Sequence, residues 1–365
     1  MVKTPFIPPK LPPKIDFSSL IKEIGQAHDA LGKLNGSLLN IPNPDLLTTP
    51  LLTKEAVLSS RIEGTQATLK DVFEYEAEAK SSEKSVEERD VREILNYRRA
   101  MDAAIEELAK KPIGENLLKK THNILLDSVR GTHKDRGNFR KAQVYIGPHN
   151  SKSIEDATYV PPNPAEILPL LGNWEMYINS DKEEDLLVQI GVAHYQFEAI
   201  HPFMDGNGRI GRLLIPLFLY QRNLLSHPLL YISEYFEKDR NKYYSLLNGV
   251  SKDGAWENWL KFFLNGVTEQ SLRAQTTVLK ILVLYNKLKV EITQANAVHA
   301  VSLLDVIFAS PIVSFTSIKK RIRARSYQTI YNLLAKFVKL GILSEIPERK
   351  RNRIYVFKQL LDILK

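Results

Sequence analysis

The twelve residues from His201 to Arg212, His201-Pro-Phe-Met-Asp205-Gly206-Asn207-Gly208-Arg209-Ile-Gly-Arg212, constrain the fold of this chain more than any other stretch. Helical patterning before them ends at Ala199-Ile200 and resumes from Leu213 to Tyr220. Any fold that holds them must stop one helix, turn on glycine and start another. Gly206 and Gly208 let backbone N–H groups turn toward one point at that start. Unpaired amides and the helix dipole both favour an anion there, so phosphate is the natural occupant. Asp205 can hold a divalent cation against the same phosphates. Arg209 and Arg212 lie on neighbouring turns of one helix face and can neutralise phosphate charge. His201 sits just outside this cradle, where an imidazole near neutrality can take a proton from an attacking hydroxyl. Alone, each residue reads as structural: a histidine before a proline, a turn, two arginines on a solvated face. The combination does not.

Around this centre the chain reads as mainly α. Its 365 residues exceed one ordinary core, so at least two domains are expected. Five prolines between Pro5 and Pro13 hold the start extended. Leu20, Ile21, Ile24, Ala27, Leu31 and Leu34 then mark one helix face, followed by a proline-rich break at Ile41–Pro50. A short helix is expected from about Leu52 to Glu63, stopped by Gly64. Ser81–Arg89 reads as a loop, and helices resume at Val91. Arg140–Ile146 and Thr158–Val160 are β-prone, with Gly147, Pro148 and Asn150 as turn residues between them, which predicts a hairpin inserted in a helical protein. Helical spacing then runs from Glu166 to about Leu279. No apolar run reaches the length of a membrane span, the N-terminus lacks a signal-peptide core, and there are no cysteines. Disulfide and thiolate chemistry are excluded, and the expectation is a cytoplasmic protein with no membrane partner.

The basic excess is confined to the C-terminal end. Residues 311–365 hold 13 Lys/Arg against 3 Asp/Glu, while the rest of the chain is slightly acidic. A short helix at Ser317–Arg323, a longer one capped by Ser326 and ended by Gly341, then β-prone runs at Ile342–Ile346 and Ile354–Phe357 give the order of a winged helix. Lys319, Lys320, Arg321, Arg323 and Arg325 precede the second helix, and Arg349, Lys350, Arg351 and Arg353 lie on the turn between the strands. Gln328 and Asn332 are the candidates for base readout. DNA and a protein partner both remain open for this unit.

The motif resembles the signature of the Fic family, H-P-F-x-D/E-G-N-G-R-x-x-R, at every defined position. The resemblance extends through HYQFEAI before the motif and the upstream hairpin, from about residue 50 to about residue 270. It implies a Fic helical core at 91–275 with a β-hairpin flap, preceded by an N-terminal helical region at 1–90 and followed by a winged-helix domain at 276–365. It also implies a protein adenylyltransferase that moves AMP from ATP, with Mg²⁺, onto a Ser, Thr or Tyr hydroxyl of a target protein or of itself. By resemblance, His201 is the general base and Asp205 the metal ligand. Gly206, Asn207 and Gly208 form the anion hole, and Arg209 and Arg212 meet the triphosphate. Arg140, Lys141, Ala142, Gln143, Val144, Tyr145 and Ile146 resemble the flap that aligns the target by β-augmentation. Tyr243 and Tyr244 fall where some members place aromatics near adenine. Ser59-Ser60-Arg61-Ile62-Glu63-Gly64 resembles the family's inhibitory pattern, in which Ser59 leads and Glu63 would pair with Arg212 and withhold it from the γ-phosphate. Family habit adds the expectation of a homodimer. Three other uses of such a chain stay open: the reverse reaction, with Glu63 positioning water; a DNA-binding regulator in which the core senses nucleotide; and transfer of another phosphate-containing group, since the motif reports a phosphate and a metal but not the rest of the donor.

Overall fold

The computed structural model describes residues 4–39, 41, 43–78, 86–129, 135–147, 154–294, 299–322, 326–346 and 353–365. The chain is mostly helical. It begins with α1 (Ile21–Leu38), α2 (Asp45–Ile62), α3 (Leu69–Glu78), α4 (Val86–Leu108) and α5 (Glu115–Leu125). After the segment expected to be a hairpin come α6 (Ile167–Ile178), α7 (Leu186–Ile200), α8 (Asn207–Gln221), α9 (Ser233–Lys238) and α10 (Arg240–Asp253), then the long α11 (Trp256–Gln294). No helix among the described residues is long and apolar enough to cross a membrane.

In α1, Ala27, Leu31, Leu34 and Leu38 are buried along α11, as the spacing predicts, but Ile21 at the first position faces solvent. The proline-rich break is shorter than expected. α2 starts at Asp45, directly after Pro44, and absorbs Pro50. That proline removes one amide from the ladder, and burial of Leu46, Leu47, Leu51 and Leu52 on either side offsets the loss. α3, which the sequence did not announce, buries Val72, Phe73 and Ala77. α4 starts at Val86, so the expected loop at Ser81–Arg89 is helical over its last residues, and 81–85 lie outside the described residues.

α7 and α8 form the helical pair that carries the motif. The Asp185 carboxylate caps α7 by accepting from the Leu187 and Val188 N–H groups. α7 stops at His201, whose φ of 49° lies in the left-handed region. α8 starts after Gly206, at φ 79°, where glycine carries no steric cost. Among the described residues the expected hairpin shows one antiparallel pair, Ile146 with Tyr159. Among its turn residues, Pro148 and Asn150 lie outside the described residues.

The C-terminal unit comprises α12 (Ala300–Ala309), β1 (Ile312–Ser314), α13 (Phe315–Arg321), α14 (Tyr327–Lys339), β2 (Ser344–Glu345), β3 (Ile354–Val356) and α15 (Lys358–Leu364). Its antiparallel sheet has the order β1-β3-β2. Ser314 and Ser317 form a capping box on α13, and Ser326 caps α14. This is the element order of a winged helix. The domain border expected at 275 falls inside α11, which runs through it unbroken. α12 packs on α2, while Phe73 and Ala77 of α3 share a small apolar cluster with Ile312 and Ile354.

Candidate active site

The loop between α7 and α8 is laced from within and from outside. The Asn207 side chain accepts from the Phe203 N–H at 2.9 Å and donates to the Phe203 carbonyl at 2.8 Å. Both the oxygen and the nitrogen of this side chain therefore brace the loop. His122 of α5 stacks on Phe203 at 3.8 Å. Its Nδ1 accepts from the Gly137 N–H at 2.9 Å, so its Nε2–H donates to the Asp205 carbonyl at 3.0 Å. Burial pulls this imidazole down to about 4, which keeps it neutral and preserves that tautomer near pH 7.

His201 lies at the C-terminal end of α7. Its Nδ1 sits 3.3 Å from the Glu198 carbonyl, so Nδ1 carries the proton and Nε2 is left as an acceptor. Burial, seconded by the Arg140 charge, lowers its pKa to about 4. The side chain is neutral at physiological pH, the state a general base needs.

At the start of α8, Arg212 faces a carboxylate from elsewhere in the chain. Glu63, the residue after α2, places Oε1 2.6 Å from Arg212 Nη2. Arg212 also donates from Nε to Ser59 Oγ and from Nη2 to the Ser59 carbonyl, both at 2.9 Å. Ser59 in the last turn of α2 and Glu63 just beyond it thus grip one guanidinium. A Cβ built on Gly208 would fall 2.4 Å from Glu63 Oε1 and 2.8 Å from Arg212 Nη1. Gly208 is needed for this close approach, and the Glu63 carboxylate lies in the cradle that the sequence assigned to phosphate. Burial works against Glu63 ionisation, but the Arg212 charge overcomes it and holds the carboxyl below its usual range. Gly64, at φ 99°, turns the chain away after Glu63.

Arg209 is buried between two carboxylates, 3.4 Å from Glu93 Oε2 and 3.4 Å from Asp205 Oδ1, and its Nε has no hydrogen-bond partner. Asp205 also accepts from the Gly206 N–H at 2.7 Å, and its side chain is partly exposed. Among the described residues no group of three or more His, Cys, Asp or Glu side chains could hold a metal ion.

Three expected site residues, Tyr243, Arg140 and Gln143, have their polar groups engaged within the fold. Tyr243 is buried, with its hydroxyl 2.9 Å from His194 Nε2 and its ring stacked on Phe236 at 4.4 Å. His194 Nδ1–H in turn donates to the Gly211 carbonyl at 3.1 Å. Tyr243 thus belongs to an aromatic core with His194 and Phe236. Tyr244 remains at the surface, close enough to Glu63 and Arg212 to feel both charges. Arg140 was expected on the target-facing flap. Its side chain is buried and donates only to backbone carbonyls. Gln143 likewise turns its amide onto the Val144 and Pro161 carbonyls. Lys141, Ala142 and Tyr145 are exposed, with Val144 and Ile146 half-buried.

The sequence reading missed His122, Glu93, Glu198 and Glu55. Glu198 is half-buried, with Oε1 enclosed and unpartnered, and desolvation raises its carboxyl to about 8. Glu55, on the Ser59 face of α2, bonds to Ser233 and Tyr97, and burial raises it to about 7. A signal existed for Glu93: on α4, Asp90, Glu93, Asn96 and Tyr97 recur at helical spacing on the buried face.

Comparison with known proteins adds a second line. A family model described as Fic/DOC family N-terminal matches residues 21–106, and the Fic/DOC family model matches residues 112–219. The protein adenylyltransferase Fic of Drosophila yakuba is 31% identical over 201 residues, 50% of this chain and 37% of that protein. Its namesake from Aedes aegypti is 31% identical over 202 residues, with the same shares. The chain spans about 37% of the length of these curated relatives. Among solved structures, a Fic family protein from Desulfovibrio desulfuricans G20 superposes over 95% of this chain and 98% of its own, with TM-score 0.59 and 18% identity. Fic-1 from C. elegans superposes over 73% of each chain with TM-score 0.51 and 19% identity. At these identities the likeness is one of fold.

Proposed function

The chain belongs to the Fic/DOC family, and we propose that it transfers AMP from ATP to a hydroxyl group of a protein target. The observation that carries this reading is His201 with Nε2 open, set beside a helix start where Gly208 leaves room for an anion and Arg212 already pairs with a carboxylate. A target segment lying along residues 141–146 would bring a Ser, Thr or Tyr hydroxyl to His201. Nε2 takes the hydroxyl proton as the oxygen bonds to the α-phosphorus. The bond from that phosphorus to the β-bridging oxygen breaks, and pyrophosphate leaves with the electron pair. The amides at the start of α8, with Arg209 and Arg212, hold the phosphates. Tyr244 lies at the edge of this cleft, where an adenine ring could stack. Asp205 is the residue that would hold Mg²⁺. A single carboxylate suits an ion that takes its other ligands from phosphate oxygens and water, where it would offset phosphate charge.

On the same reading, Glu63 silences the site by holding Arg212, and a water oriented by Glu63 would allow the reverse reaction. The test is AMP incorporation from α-labelled ATP by Glu63→Gly protein, with and without His201→Ala. Removing the base should cost about 10²–10⁴-fold while the circular dichroism spectrum stays unchanged. Undiminished labelling in the double variant would remove His201 from the mechanism.

For the C-terminal unit we propose duplex DNA as a candidate partner, with a protein partner as the alternative. Tyr327, Gln328, Tyr331 and Asn332 line an exposed face of α14, with Lys319, Lys320 and Arg321 exposed on α13 before it. Arg323, Arg325, Arg349, Lys350 and Arg351 lie outside the described residues. Arg353 pairs with Glu345. DNA affinity should fall steeply with salt and weaken in Lys319→Glu/Lys320→Glu protein. Salt-insensitive binding, or none at low salt, would point to a protein partner.

A further inference from the structure

The expected flap and the catalytic histidine meet in one side chain. Arg140 is 2% exposed. Its Nε donates to the His201 carbonyl at 2.8 Å, and its Nη2 donates to the Pro162 carbonyl at 2.5 Å and the Ile200 carbonyl at 3.4 Å. Nη1 reaches the Ala142 carbonyl at 3.2 Å, and the Arg140 backbone N–H donates to Pro202 at 2.9 Å. The partners of the guanidinium are all backbone carbonyls. A buried cation is costly without such satisfaction, and a planar fork of N–H donors is what several carbonyls in different directions require.

These carbonyls come from two structures. Ala142 and Pro162 bracket the segment that pairs Ile146 with Tyr159, while Ile200 and His201 end α7. Tyr159 adds a second tie, donating its hydroxyl to the Ala199 carbonyl at 2.8 Å. His201 itself sits at φ 49° and ψ 60°. A non-glycine residue there is strained, and such strain persists only where the surroundings over-determine it. Arg140 is the side chain that grips that turn at both Ile200 and His201.

We propose that Arg140 is the positioning residue of this site: it holds His201 in its left-handed turn and links that turn to residues 141–146, along which the target segment would lie. The proposal rests on the AMP-transfer reading for its catalytic consequence, but not for its structural content. A target seated on the 141–146 edge pulls on Ala142 and Arg140, and through the guanidinium on His201. The arginine charge also opposes protonation of the imidazole. The other charged groups that act on His201 are Glu63 from α2 and Asp205 from the loop, both of opposite effect, while its own helix presents the Glu198 carbonyl.

The test compares Arg140→Lys and Arg140→Met in Glu63→Gly protein. Lysine keeps the charge but cannot span the carbonyls, and methionine keeps only approximate length. In both, kcat for AMP transfer should fall by about 10²-fold, the typical cost of a misplaced catalytic group. KM for ATP should stay near the parent value, because the cradle on α8 is untouched. The acid limb of the pH–rate profile should move to higher pH in the methionine variant and not in the lysine variant. The His201 ring signals in NMR, assigned through His201→Asn, should titrate at higher pH in the methionine variant. That readout needs no turnover. If Glu63→Gly protein labels nothing, the AMP-transfer reading fails while the NMR titration still judges Arg140. Parental kcat in the lysine variant, or an unmoved His201 titration in a folded methionine variant, overturns the proposal. Should the methionine variant not fold, the kcat of the lysine variant decides.

Discussion

Replacing Glu63 with glycine should switch the site on, by an amount the geometry bounds. Glu63 Oε1 and Arg212 Nη2 are 2.6 Å apart. Charge centres about 4 Å apart interact by roughly 4 kcal/mol at an effective dielectric constant near 20. Arg212 is 1% exposed, but the Glu63 side chain is 34% exposed, so water screens part of this. Roughly half remains, about 2 kcal/mol, which is a factor of about 30 in the fraction of Arg212 free to meet a γ-phosphate. Ser59 still offers Oγ and its carbonyl, so the freed guanidinium is not orphaned. The assay is initial incorporation of labelled AMP at equal ATP by wild type, Glu63→Gly, and Glu63→Gly with Arg212→Ala. The single variant should gain at least about tenfold, and the double variant should lose that gain, since the freed arginine is what the first change supplies. Glu63→Gln, nearly the same shape without charge, should lie between wild type and glycine. If the glycine variant is no faster than wild type, Glu63 is a helix-end residue and the inhibitory argument is wrong.

Gly208→Ala should stay inactive even with Glu63→Gly, because the methyl group would occupy the space beside the α8 amides. Activity equal to that of Glu63→Gly alone would show that no phosphate approaches there. Glu198→Gln should flatten the pH dependence of stability. The Glu198 carboxyl has a folded pKa near 8 against an ordinary 4.5. Its contribution is therefore full below about 4.5 and lost as pH rises through about 8. Thermal melts of the two proteins should agree at pH 5 and diverge at pH 9, with the glutamine variant the more stable; parallel curves would refute the assignment.

The sequence was most legible where a local rule decides. The helix stop at His201, the restart after Gly206, the Ser326 cap and the amphipathic face of α1 each follow from neighbours within about one turn. It was less legible where burial overrides local preference. Pro50 reads as a break, yet α2 runs through it because the flanking leucines have a core to enter. Ser81–Arg89 reads as loop from its charges, although α4 has begun by Val86. Among the described residues near 140–160 one β pair forms, while Arg140 and Tyr159 turn their polar groups to carbonyls at the end of α7.

For the candidate site, the division is between the identity of the groups and their arrangement. His201, Asp205, Gly208, Arg209 and Arg212 lie within the twelve residues 201–212, so spacing alone sets them on one loop and the first turns of the helix after it, and a matching family pattern names Glu63 as the distant partner. That Glu63 lies 2.6 Å from Arg212 depends on α2 packing beside α8, 149 residues away in sequence. Tyr243 and Tyr244, adjacent in sequence, part ways for the same reason: successive residues on a helix point about 100° apart, and only the packing of α10 decides which of them enters the core. Arg140 shows the limit most plainly. A surface segment and a buried clamp have the same residue types at the same spacing, and only the long-range approach of the α7 end supplies the carbonyls that let a guanidinium be buried.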